Sequence, residues 1–179
     1  MCSNESDPEQ TKAFYATVGE LVLHATTLDS LLNTLLIEMY QFSNSAWLEA
    51  IIGTLDAARK IEILKSHARS ISYAKASKPI KEFLGKVEVV FKQRNIVCHT
   101  PPTYENGSWG FRPTTAAKML SPSNIYSPKM IRESFNNLKA AISTADAALQ
   151  AGWELIDFYR RTNAEQVEYY KRLNSKKRT

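Results

Sequence analysis

The run Arg94-Asn95-Ile96-Val97-Cys98-His99 puts three side chains suited to a phosphate within six residues. Arginine supplies a permanent cation whose planar fork matches phosphate oxygens. Histidine titrates near neutrality, so it can give or take a proton. At about 100° per helical residue, Asn95 and His99 are neighbours on one flank. Arg94 and His99 lie roughly 140° apart, so one straight helix cannot aim both at one point unless its end unwinds. Cleaving an RNA phosphodiester without a metal takes a base for the 2′-hydroxyl proton, an acid for the leaving oxygen and a cation for the charged transition state. Each proton-transfer role contributes on the order of 100- to 10,000-fold. The run holds a single histidine, too few for both, so the chemistry points to two chains meeting on a two-fold axis.

A plainer reading uses the same residues. An arginine in an apolar stripe packs its stem and binds a carboxylate, for which Asp29 and Glu38 are candidates. A histidine at a helix end caps the last carbonyls and meets the dipole favourably.

Several elements must position this run. From Thr11 the apolar residues Phe14, Val18, Leu21, Ala25, Leu28, Leu32, Leu35, Met39 and Phe42 are spaced alternately four and three apart. That spacing predicts a long bundle helix with one continuous seam, widened by Leu31 and Leu36. Ser45 suits the cap of a short helix through Trp47, Ile51 and Ile52, punctuated by Gly53-Thr54. A third helix is expected with Ala57, Ile61, Leu64, Ala68 and Ile71 inward, and Arg59, Lys60, Glu62, Lys65 and Arg69 outward. Pro79 fits the first turn of the next helix. That helix has the seam Ile80, Leu84, Val87, Phe91, Arg94, Cys98, so its own phase turns an arginine inward. Thr100 precedes Pro101-Pro102, which ends the helix near His99. Tyr104 to Trp109 carries the Asn-Gly signature of a two-residue hairpin turn. Its aromatics Tyr104, Trp109 and Phe111, with Arg112, can stack bases and meet phosphate, or can cover the bundle's end. Ser127-Pro128 reads as the start of a last helix, with Ile131, Phe135, Leu138, Ile142, Ala145, Leu149, Trp153, Ile156 and Tyr159 on one face and Gly152 as a soft spot.

The 179 residues, 44% hydrophobic and 23% charged, suit one globular domain over 11–170, after a loose leader over 1–10 and before a basic tail over 171–179. The tail reads as a solvated helix end more readily than as a nucleic-acid arm. Cys2 and Cys98 make no disulfide framework, the first residues are polar and acidic, and no apolar run approaches the roughly 20 residues a membrane span needs. A cytoplasmic setting without membrane contact is expected. His24 and His67 are isolated in sequence, with no cysteine or histidine at metal-ligand spacing, and neither a phosphate loop nor a nucleophile elbow is present. No metal and no cofactor is expected.

With its arginine, adjacent polar residue, short spacer and histidine at the end of a core helix, the chain resembles the HEPN domains (higher eukaryotes and prokaryotes nucleotide-binding). A long leucine-rich first helix, a short second, a basic third, the motif helix and a long closing helix extend the resemblance over most of residues 10 to 165. It implies an all-α bundle of about five helices, here with a small β-hairpin near 103–112. It further implies a metal-independent endoribonuclease working as a homodimer on RNA, in toxin–antitoxin or defence settings, with an antitoxin protein as a further partner. Carried across, Arg94 and His99 are catalytic and Asn95 orients or hydrogen-bonds the phosphate. Many HEPN proteins look like non-catalytic interaction modules, in which Arg94 and His99 would be structural. The family often has a glycine after the histidine, where this chain has Thr-Pro-Pro.

Overall fold

The computed structural model of the protein describes residues 7–41, 46–72, 74–105, 107–111 and 133–176. They form five helices and one small antiparallel sheet, the all-α bundle class that the periodicity predicts. The helices are α1 (Pro8–Tyr40), α2 (Ala46–Thr54), α3 (Ala57–Ser70), α4 (Ala74–His99) and α5 (Phe135–Lys176). The strands are β1 (Pro102–Glu105), β2 (Ser108–Phe111) and β3 (Glu133–Ser134), in the order β1-β2-β3. The chain gathers into two compact units, one of residues 1–26 and 87–146, the other of 27–86 and 147–179. Each of α1, α4 and α5 contributes one part to each unit.

α1 starts earlier than its apolar pattern does. The Asp7 carboxylate accepts from the Glu9 amide at 3.1 Å, and Pro8 takes the first helical position, where its missing N–H costs nothing. Residues 8–10 are therefore helix rather than leader. The seam packs as its spacing predicts: Phe14, Leu21, Ala25, Leu28, Leu32, Leu35 and Met39 are buried, with Leu31 and Leu36 beside them. Val18 is half-buried, and Phe42 and Ser45 lie outside the described residues.

Asp56 caps α3 by accepting from the Arg59 amide at 2.8 Å. Ile61, Leu64 and Ala68 are buried as expected, but Lys60 is not outward: its side chain is fully buried. Its Nζ donates to both carboxylate oxygens of Asp29 at 2.8 Å. An ammonium with a bidentate carboxylate can sit on an inward stripe that polarity alone would deny it.

α4 also begins before its expected start, so Pro79 lies in the helix interior rather than in the first turn. α5 departs from its expected start in the other direction. Ser127-Pro128 and Ile131 lie outside the described residues, and the helix begins only at Phe135. Glu133 and Ser134 are strand, because the open edge of β2 takes them up, with Gly110 opposite Ser134 and Phe111 opposite Glu133. The inward face of α5 is shifted as well. Trp153 is 49% exposed while Gly152 is buried. A Cβ on Gly152 would overlap Leu31 Cδ2 and lie 2.9 Å from Phe83 Cε2, so glycine here permits a close approach of backbone to side chains.

Candidate functional site

α4 runs as regular helix to His99, and Pro102 opens β1 three residues later. The helix therefore does not unwind to bring Arg94 and His99 onto one point. Its burial fades along its length: Val87 and Val90 are buried, Phe91 and Arg94 half-buried, Asn95, Cys98 and His99 exposed. Cys98 is thus not inward despite its heptad position, because the last two turns of α4 outlast the core that buries Val90.

Arg94 Nη1 donates to Asn95 Oδ1 at 3.0 Å. The bond engages only the acceptor end of the amide and leaves its N–H₂ group for an acceptor from outside. Among the described residues, no hydrogen bond or ion pair joins His99 to Arg94 or Asn95. Within one chain the arrangement is a guanidinium braced by an amide and, on the amide's flank, an exposed imidazole ending the helix. It offers one cation, amide donors and one proton carrier. The carboxylates expected as partners of Arg94 are engaged elsewhere: Asp29 by Lys60, and Glu38 by Arg160 Nε at 2.7 Å.

The hairpin has the expected two-residue turn. Glu105 pairs with Ser108, and Gly107 adopts φ 75°, which a residue without Cβ reaches freely. Its aromatics are committed to packing. Trp109 stacks on Phe14 with centroids 4.9 Å apart and planes 15° from parallel. Tyr104 tilts against Trp109 at 5.4 Å, and Phe111 is buried against Phe14. Trp109 Nε1 is buried without a hydrogen-bond partner among the described residues. Tyr104 and Trp109 are half-buried, so stacked bases would have to compete with this cluster. Arg112 lies outside the described residues.

Two histidines that stand alone in sequence have neighbours in space. His24 Nε2 approaches Asp146 at 3.6 Å and Glu20 at 3.9 Å. His67 is held in a cage of tyrosines, its Nε2 3.4 Å from the Tyr159 hydroxyl and its ring edge-on to Tyr40 at 5.6 Å. Burial pulls the His67 imidazole below its ordinary 6.5, and burial with the nearby Tyr40 raises the Tyr159 phenol above 10.0. The one sign of this cage in the sequence is that His67 lies between the inward Leu64 and Ala68. In the same unit, Ile80, Phe83 and Leu155, with Glu82, Lys86 and Glu154, line a cavity of about 620 Å³. Among the described residues, no group of three or more histidines, cysteines or carboxylates is placed to hold a metal, and no helix is long and apolar enough to cross a membrane. Set beside known proteins, the chain matches no family model, no curated protein and no solved structure.

Proposed function

We propose that the protein is an RNA-cleaving homodimer of HEPN type, with Arg94, Asn95 and His99 as its working residues. One observation carries the reading. The cation on the stripe of α4 is braced by a neutral amide instead of a carboxylate, beside an exposed terminal histidine. A guanidinium balanced by no anion among the described residues keeps its charge for a phosphate.

In this reading the 2′-oxygen attacks phosphorus, its proton passes to one imidazole, and the 5′-oxygen leaves with a proton from the other chain's imidazole. The products are a 2′,3′-cyclic phosphate and a 5′-hydroxyl. Arg94 steadies the negative charge on the phosphoryl oxygens, and Asn95 adds a hydrogen bond to them. The competing reading, a purely structural Arg94, is weakened because Asp29 and Glu38 are held by Lys60 and Arg160.

The test is incubation of labelled RNA with the purified protein in chelator, alongside His99→Ala and Arg94→Ala. Cyclic-phosphate ends from the parent and their absence from both variants are expected. Cleavage that survives both substitutions overturns the proposal.

A further inference from the structure

The end of α4 is electrostatically awkward for a phosphate. α4 stops at His99, and a helix C-terminus turns unpaired carbonyls, equivalent to about half a negative charge, toward whatever binds there. An anion beside His99 therefore needs more positive charge than one guanidinium that already shares a bond with Asn95. The surrounding chain is one-sided in that respect. Residues 89–104 hold Lys92 and Arg94 and no carboxylate, and all of them are described.

Lys92 stands in register with the candidate site. At about 100° per residue, Lys92, Asn95 and His99 fall within about 60° of arc on one flank of α4. All three are exposed. Two turns separate Lys92 from His99, about 10 Å along the helix axis. Lys92 forms no hydrogen bond or ion pair among the described residues; Glu88, one turn earlier, is not bound to it and has an interaction of its own. Val89, 47% exposed, and the half-buried Ile96 edge the same flank. Ammonium, amide and imidazole in a row beside an apolar edge match a single RNA strand laid along the helix. Its phosphates meet the polar row, and a sugar and base lie against Val89 and Ile96.

We infer that Lys92 holds the phosphate next to the scissile one, so that Lys92, Asn95 and His99 form a two-phosphate track for single-stranded RNA. The inference rests on the RNA reading of residues 94–99 and deepens it: the substrate extends at least one nucleotide beyond the linkage that is cut. Lys92 binds substrate away from the reacting atoms. Its charge acts equally before and during the reaction, so it lowers KM and leaves kcat alone.

The experiment uses the full-length protein and two readouts. In chelator, cleavage of a dinucleoside monophosphate is compared with cleavage of a trinucleotide holding two linkages, and the parent should prefer the trinucleotide. Lys92→Gln should raise KM for the trinucleotide on the order of tenfold, with kcat within about twofold, and erase the preference; Lys92→Arg should restore it. In a His99→Ala background, fluorescence anisotropy follows a labelled 20-nucleotide single-stranded RNA across a salt series. There Lys92→Gln should lower the slope of log affinity against log salt by about 0.7. Lys12→Gln removes an exposed cation from α1 and should change neither readout. Unchanged KM and salt slope in Lys92→Gln overturn the inference, as does an equal loss in Lys12→Gln. A Lys92→Gln protein with an altered helical signal or oligomeric state also overturns it, because the lysine then serves the fold. Cleavage by the parent that Lys92→Gln leaves untouched sinks the track and spares the proposed function. Binding that depends on Lys92 in a protein that never cleaves does the reverse.

Discussion

Lys60 on α3 and Arg94 on α4 are both cations on the inward stripe of an amphipathic helix, and the protein treats them differently. Lys60 is fully buried and clamped at 2.8 Å by both oxygens of Asp29. Arg94 is half-buried and bonded at 3.0 Å to the neutral amide of Asn95. A buried charge needs a counter-charge, and Lys60 has one built in. Arg94 keeps partial access to water, which allows it to go without. The first cation is consumed by the fold; the second has no counter-charge among the described residues.

Substitutions break this comparison or sharpen it. The largest effect is expected at Arg94 and His99. Alanine at either should lower RNA cleavage by on the order of 100-fold or more, with little change in melting temperature. A large loss of stability in Arg94→Ala would place Arg94 with Lys60 as a structural cation. Next comes Asp29→Asn, which strands the Lys60 ammonium in the core and should cost about 3–5 kcal/mol in denaturant unfolding. Lys60→Met should cost less, because the Asp29 carboxylate it leaves behind is 38% exposed and can be solvated. Equal costs for the two would contradict the asymmetry. Gly152→Ala should cost about 1–3 kcal/mol, since the new methyl overlaps Leu31 and crowds Phe83.

The smallest effect is one of pH. The folded imidazole of His67 sits below 6.5, so the unfolded chain takes up the proton first. Its contribution to stability is present above 6.5 and is lost as pH falls through the folded value. Melting temperature should therefore drop on acidification from pH 7 toward 5, and His67→Gln should flatten that slope. An identical slope in the variant would remove His67 from the account.

Much of this was legible in the residues themselves. Spacing of four and three gave the α1 seam, Asn106-Gly107 the turn, and Thr100-Pro101-Pro102 the end of α4 just after His99. These features are local: each follows from a few adjacent side chains and their backbone limits. What was hidden depends on distant partners. Lys60 reads as a solvent residue until Asp29 is known to face it. Gly152 reads as a weak point until Leu31 and Phe83 are seen to need its missing Cβ, and inserting that contact turns Trp153 outward. β3 is two residues long and exists only because β2 has an open edge. At the candidate site, phase turned Arg94 inward correctly to half-burial, but phase could not tell that the core gives out after Val90 and leaves Cys98 exposed. The Asp7-Pro8 start was readable and was masked by the polar company around it.

The pairing of β2 with β3 has a consequence for how α5 is set in place. Phe111 lies opposite Glu133, so two residues far apart in the chain meet at one rung of a ladder. Adjacent strands lie about 4.8 Å apart, so the end of β2 and the residues that lead into α5 are held at a fixed separation. The rung works as a clasp: it fixes where α5 starts relative to the hairpin that follows α4.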